Sequence, residues 1–438
     1  MSRRKAQRRK RPAPCHSIEI TIESLGARGD GVARDGDGRP VHVPGALPGE
    51  KWRADIAEGK VQRAEMLQPS PLRRAPFCPH YQGCGGCQAQ HLSGDFYGEW
   101  KRDMVRQALA RAGLSAEVVE PLMRLQGDDA RRRRVDWALL RDRAGQVKLG
   151  YRQQGSHHIV DIGECAIIEA DIAALIAPLK VLATALLQPG ERGRCRVTLA
   201  DTGTDVLLTL PHLPDLEERE RLTAFAVEQD CARLSVQLSE AEPETILLRR
   251  HPVVHFSGVT VPLPQNCFLQ ASRAADRVLC DLAVSASEEG GAGGEAADLF
   301  SGLGTFSFAL RKAGARVHAY EADEAAVAAM QAGINRAQLG NIGVTRRDLF
   351  RQPLLAAELK RFSRVLFDPP RAGAREQVEM LAASDVAEVI AVSCNPASFA
   401  RDMAILVQGG YRLERVVPVD QFPYSRHVEV VARLRRAD

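Results

Sequence analysis

From about residue 270 to its end the chain repeats strand, helix, strand, helix, and this rhythm restricts its fold more than any other feature. Strand patterns fall at 297–299, 316–320, 364–367 and 388–392, with helical patterns such as 324–337 and 397–408 between them. Such alternation predicts a doubly wound parallel α/β domain, whose ligands bind beyond the carboxyl ends of the strands. Upstream the pattern changes. Residues 14–72 read as short strands broken by Gly26, Gly29, Gly31, Gly36, Gly38 and a Pro48-Gly49 turn. Ser17–Ile22 alternates polar and apolar residues, as a half-buried strand does. Several strands in so short a span predict a small β-barrel of the oligonucleotide-binding type. From 130 to 265 strands (135–140, 196–200, 206–210, 234–238) mix with a helix at 171–187, and 99–112 reads as an amphipathic helix. At roughly 150 residues per domain, 438 residues suggest about three domains. The expected plan is a tail (1–13), a barrel (14–72), a central α+β domain (73–268) and the α/β domain (269–438).

Charge is unevenly spread. There are 59 basic and 55 acidic side chains, and seven of the basic ones lie within residues 1–11, which hold no acid. A block of this kind is usually unstructured; it serves either as a solvated tail or as a contact for nucleic-acid phosphates. Arg131–Arg134, leading into a strand, adds a second basic run. No uncharged apolar run approaches the roughly 20 residues of a membrane-spanning helix. No apolar segment follows the basic start as in a signal peptide. The expectation is a soluble, cytoplasmic, monomeric protein without a membrane partner.

Ten cysteines in such a chain argue against a disulfide framework. Cys78, Cys84 and Cys87 are separated by five and by two intervening residues in a Gly-rich segment, a spacing that suits a metal site. Cys165 is the nearest later candidate for a fourth ligand. The alternative is three reduced cysteines in a turn. Cys15, Cys195, Cys231, Cys267 and Cys280 lack such clustering and read as small buried residues.

The strand-end loops carry the chemistry. Asp298-Leu-Phe-Ser-Gly302-Leu-Gly304 closes the first α/β strand, but Ser307 stands where a dinucleotide fingerprint needs its third glycine. Glu321 ends the second strand, where an acid accepts bonds from ribose hydroxyls. A nucleoside ligand without a pyrophosphate fits better, and S-adenosylmethionine is such a ligand. Asp368-Pro-Pro-Arg371 and Ser393-Cys394-Asn395-Pro396 close two further strands, and Glu429 follows in His427-Val428-Glu429. A pyrimidine C5 becomes nucleophilic when a thiolate adds to C6, and a base must later remove the C5 proton. A methyl-donor site, Cys394 and Glu429 together provide for that reaction.

On these motifs, with Phe268-Leu269-Gln270 and Phe422-Pro423, the chain resembles the bacterial RNA uracil-C5 methyltransferases. The resemblance is greatest to the 23S rRNA enzymes with an N-terminal TRAM barrel and a [4Fe-4S] cluster. It covers all but the tail and some central loops. It implies a TRAM barrel, a central α+β domain with the cluster, and a Rossmann-like S-adenosylmethionine-dependent domain. It implies Cys394 as nucleophile and Glu429 as base. Gln270, Phe300, Glu321 and Asp368 would line the methyl-donor and uracil site, joined by Asp348 and by Thr305, which stands where the family commonly has Asn. Cys78, Cys84, Cys87 and Cys165 would hold [4Fe-4S], with zinc as the competitor. RNA, foremost 23S rRNA, would be the substrate. A tRNA uridine methyltransferase and a non-catalytic RNA-binding Fe–S protein are the alternatives. The RNA cytosine methyltransferases typically place a cysteine in the Asp-Pro loop, and residues 369–373 contain none.

Overall fold

A computed structural model describes residues 16–239, 241–288 and 294–437. The basic tail and Cys15 lie outside the described residues. The chain divides into two compact units. One takes the described residues up to Phe77 with Cys87–Trp100 and Tyr424–Arg426; the other takes the rest.

Among its described residues the first unit holds six strands: β1 (His16–Thr21), β2 (Ser24–Leu25), β3 (Gly31–Arg34), β4 (Pro40–Val43), β5 (Lys51–Ala57) and β6 (Lys60–Gln68). They form two three-stranded sheets, β1-β5-β6 and β2-β3-β4. Their alternating apolar residues, including Ile20, Ile22, Val41, Val43 and Ile56, close one small core. Gly31 is required there, because a side chain would meet Ala46 at 2.8 Å. Glu50, wholly buried, accepts bonds from Arg73 Nε (2.5 Å), Leu47 N (2.9 Å) and the Trp52 indole (2.9 Å). A buried carboxylate persists only when it is satisfied in this way.

Helix α1 (Gly94–Arg111) supplies Trp100 to the first unit and Lys101 to the second. The second unit continues with β7 (Met123–Arg124), β8 (Arg134–Arg141), β9 (Val147–Arg152), β10 (Ile159–Asp161), α2 (Ala170–Ala174), α3 (Ile176–Leu186), β11 (Arg192–Ala200), β12 (Gly203–Leu210), α4 (Leu216–Glu228), β13 (Arg233–Leu238), β14 (Glu244–Leu248), β15 (Val253–Phe256) and β16 (Val259–Pro262). Seven of these strands make a sheet ordered β10-β9-β8-β11-β12-β13-β14, antiparallel except for β12 beside β13. The single helix expected over 171–187 is two, broken at Leu175. Pro178 sits in the first turn of α3, the one helical place where its missing N–H goes unnoticed.

The α/β region follows: α5 (Arg273–Glu288), β17 (Glu295–Leu299), α6 (Thr305–Lys312), β18 (Arg316–Glu321), α7 (Glu324–Arg336), β19 (Ile342–Arg346), α8 (Ala356–Leu359), β20 (Arg364–Phe367), α9 (Arg375–Ala382), β21 (Glu388–Ser393), α10 (Pro396–Gln408), β22 (Tyr411–Asp420) and β23 (Glu429–Arg436). Its sheet is ordered β19-β18-β17-β20-β21-β23-β22-β7, with β23 antiparallel to both neighbours. Both faces are covered, so the central strands are apolar throughout rather than alternating. Leu299, Val365, Phe367 and Ala391 face α9 and α10 in one core, while Ala296, Leu366, Ile390 and Val392 face α5 and α6 in another. The chain leaves β17 toward β18 and β19, then returns to the other side at β20. A crevice opens at that reversal, beyond the strand ends.

Candidate active site

A cavity of about 530 Å³ occupies that crevice. Phe300 follows β17 in a left-handed backbone conformation (φ 62°) that a bulky residue rarely adopts. Gly304 (φ 90°) leaves no room for a side chain, since a Cβ would lie 2.7 Å from the Phe308 ring. These two turns place backbone along the cavity floor. Glu321, at the end of β18, is held by Gly302 N (2.8 Å), Ala322 N (2.7 Å) and Asp323 N (2.9 Å). Asp348 follows β19 and accepts from Phe350 N at 3.0 Å, and the Phe350 ring packs 5.3 Å from Phe300. Thr305 opens α6. All five expected donor-site residues with Asp368 line the one cavity.

The other side of the cavity carries the acids and the thiol. Asp368 follows β20 and accepts from Gln270 Nε2 at 3.1 Å. Cys394 follows β21, immediately before α10, whose first turn is capped by Asn395 and begins with Pro396. Glu429, 2% exposed, opens β23. The antiparallel register pairs Ser393 with Val430, and this brings the carboxyl beside the thiol. Burial pushes Glu429 well above the usual carboxylate range, and Asp368 pushes it further; the Gln421 amide opposes both. Asp368 is raised by burial, with Gln270 opposing. Burial also pushes Cys394 up to about 11, helped by Glu429 and Asp368 and opposed by Arg371. The start of α10 works on the thiolate's side, since a helix N-terminus favours an anion. Arg371 donates to His427 Nδ1 at 2.7 Å, and its own carbonyl is held by Asn395 Nδ2 (2.9 Å) and Ser398 Oγ (3.0 Å). Phe268, 66% exposed, stands at the rim with its ring free to stack on a planar ligand.

The structure also shows residues for which the motifs offered no signal. Gln421 lies between Gln270 and Glu429 and donates to both, at 3.0 and 2.5 Å. Lys101 is wholly buried and donates to Asp420 Oδ1 (2.5 Å), Phe422 O (2.9 Å) and His427 O (2.7 Å). One ammonium thus fastens both ends of the segment that leads to Glu429.

The cysteine expectation divides. In the second unit Cys78, Cys84 and Cys165 lie within electrostatic reach of one another. Burial raises the Cys84 and Cys165 thiols, and the neighbouring sulfurs raise them further. Gly86 N donates to Cys84 Sγ at 3.4 Å. Cys87 belongs to the first unit. Among the described residues no three His, Cys, Asp or Glu side chains are disposed to hold a metal ion.

Fold and cavity define a doubly wound α/β protein with a separate small β-unit. Residues 253–437 match the tRNA (Uracil-5-)-methyltransferase family, and residues 16–65 match the TRAM domain. An uncharacterized RNA methyltransferase of Brucella suis is 42% identical over 420 residues, covering 95% of this chain and 98% of the relative. A 23S rRNA (uracil(1939)-C(5))-methyltransferase of Halomonas elongata is 33% identical over 442 residues, covering 96% and 90%. The Pyrococcus abyssi tRNA (uracil-54, C5)-methyltransferase, solved with S-adenosyl-L-homocysteine, shares the fold at TM-score 0.72 and 23% identity over 95% of this chain and all of that one. The chain belongs to the RNA uracil-C5 methyltransferase family and is an enzyme of that class.

Proposed function

We propose that the protein methylates C5 of a uridine in 23S rRNA through a covalent bond between Cys394 and uracil C6. The observation that carries this reading is the meeting of Cys394 and Glu429 at one cavity, on neighbouring strand ends that run in opposite directions. S-adenosylmethionine, when bound, supplies an electrophilic methyl group to C5. Glu321, Phe300, Asp348 and Thr305, which line the same cavity, would hold it, and the fixed Glu321 carboxylate suits a ribose. The chain's own residues do the rest. The Cys394 thiolate adds to C6, and the pair from the C5=C6 bond makes C5 nucleophilic. The C5 pair takes the methyl group as the S–CH3 bond breaks, its electrons remaining on the sulfur of S-adenosylhomocysteine, and Glu429 then takes the C5 proton. The C5–H pair restores C5=C6, the C6–S bond breaks, and the thiolate leaves with that pair. Gln270 and Asp368 offer a donor and an acceptor to the pyrimidine edge, and Phe268 a stacking surface.

The barrel and the basic tail would add affinity for RNA phosphates in the cytoplasm, with the protein acting as a monomer. The same cysteines support a further reading: Cys78, Cys84, Cys87 and Cys165 hold a [4Fe-4S] cluster. The spacing of the cysteines in the sequence is what supports this reading, and such a group would hold the segment in place. Anaerobically purified protein should then be brown and lose about four irons on Cys84→Ser. A colourless protein with stoichiometric zinc would refute the cluster. For the reaction, mass-spectrometric mapping of 5-methyluridine in a deletion strain is decisive. Loss of one 23S rRNA site supports the reading; loss confined to tRNA transfers the activity to tRNA, and unchanged RNA refutes it.

A further inference from the structure

Gln421 is 1% exposed and takes no part in the steps above. Its Oε1 accepts from the Ala271 backbone N–H at 3.1 Å, which dictates how the amide faces. Both protons of Nε2 then point inward, one to Gln270 Oε1 at 3.0 Å and one to Glu429 Oε2 at 2.5 Å. Gln270 in turn must present its NH2 group to Asp368 Oδ2, 3.1 Å away. Asp368, Gln270, Gln421 and Glu429 therefore form one chain of bonds whose donors point outward from Gln421 toward both carboxyls, an orientation set by a backbone N–H. The backbone on each side of Gln421 is pinned by Lys101 through Asp420 and the Phe422 carbonyl.

We propose that Gln421 is a positioning residue that couples the uracil-facing amide of Gln270 to the base Glu429, holding one carboxyl oxygen so that the other receives the C5 proton. This rests on the reading of Glu429 as that base. The charged and titratable groups around Glu429 are Asp368 beyond β20, Cys394 beyond β21 with Arg371 next to it, and Asp420 at the end of β22, which Lys101 binds. Burial and Asp368 both oppose ionisation of Glu429, and the Gln421 N–H favours it. A donor to a charged group moves an ionisation by roughly one to two pH units. Without it Glu429 holds its proton more tightly and the last step slows.

The test uses the full chain, S-adenosylmethionine and an unmodified 23S rRNA transcript tritiated at uridine C5. Tritium release reports proton removal, and an RNA–protein band on a denaturing gel reports the adduct. Gln421→Leu should form the adduct at the wild-type rate. Its tritium release at pH 7 should fall by roughly ten- to a hundredfold, and recover as the pH rises by about one to two units. Glu429→Gln should show the same stalled adduct with no recovery at any pH. Gln421→Glu keeps the size and the acceptor for Ala271 N–H but sets an oxygen against Glu429, so its recovery should need a still higher pH. A Gln421→Leu profile that superimposes on wild type overturns the proposal. So does loss of the adduct in both Gln421 variants at every pH, which would make Gln421 merely structural. If wild type releases no tritium, or Cys394→Ala releases it normally, the reaction itself has been misread and the inference falls with it.

Discussion

Replacing Lys101 by methionine keeps most of the volume and removes one buried charge, with consequences that the structure lets us size. The ammonium is wholly buried against a carboxylate that is 6% exposed, and it also donates to two carbonyls. Burial pulls its ionisation down, as do Arg132 and Arg124, while Asp420 pushes it back up. Removing one partner of such a pair costs about 3–5 kcal/mol, because the remaining charge stays in a low-dielectric site. At roughly 2–4 °C per kcal/mol for a large domain, the melting temperature should fall by about 6–20 °C. Removing Asp420 as well, in a Lys101→Met/Asp420→Leu double variant, should restore most of that loss, since an apolar pair of similar volume is often as stable as a buried ion pair. Activity should not return with stability. Phe422 O and His427 O still lack the Lys101 donor, so the segment carrying Gln421 to Glu429 is less firmly held. Calorimetry of the three proteins with tritium-release rates separates the two effects. A Lys101→Met protein melting within about 2 °C of wild type would refute the energetic argument. A double variant with full activity would refute the positioning argument.

Three further expectations follow from individual contacts. Cys394→Ala should give no covalent RNA adduct, whereas Glu429→Gln should accumulate a methylated one that survives denaturing electrophoresis; an adduct formed without Cys394 would refute the assignment. Gly304→Ala should destabilise the fold by roughly 1–3 kcal/mol for its left-handed backbone, with a similar amount for the overlap with Phe308, and weaken donor binding measured by calorimetry. In the first unit burial would raise Glu50, but Arg73, Leu47 N–H and the Trp52 indole overcome it and hold the carboxyl below its usual range. The stability it contributes is therefore complete above the ordinary carboxylate range and is lost as the pH falls through the lowered one. Trp52 fluorescence in an acid titration should report that loss, and Glu50→Gln should flatten it.

What could be read from the sequence, and what could not, follows from how local each signal is. The turn at Gly302–Gly304, the acid at Glu321 and the thiol at Cys394 each sit at the end of a short apolar strand, and a strand end is legible within ten residues of chain. The α2–α3 break was not, because an apolar helical pattern continues through Leu175 and only the position of Pro178 marks the new first turn. Lys101 lies in a helix whose charged residues are mostly on its solvent side, and nothing in a helical pattern says which lysine is buried. Gln421 reads as one more polar residue after an apolar strand.

The direction of β23 was equally hidden, and the proposed chemistry depends on it. Glu429 through Arg436 is buried almost throughout, and a strand covered on both faces carries no periodicity that distinguishes one direction from the other. Had the chain continued in the parallel sense, the first residue of this strand would lie at the amino end of the sheet, a strand length from Cys394. Because β22 runs up past β7 and β23 turns back between β22 and β21, residue 429 begins where residue 393 ends. Cys394 and Glu429 are 35 positions apart in sequence and neighbours in space for that reason. The two residues before the turn, Asp420 and Gln421, fall beside them by the same register. The reversed strand brings Glu429 to the site, and the end of β22 brings Asp420, which Lys101 anchors, and Gln421 beside it.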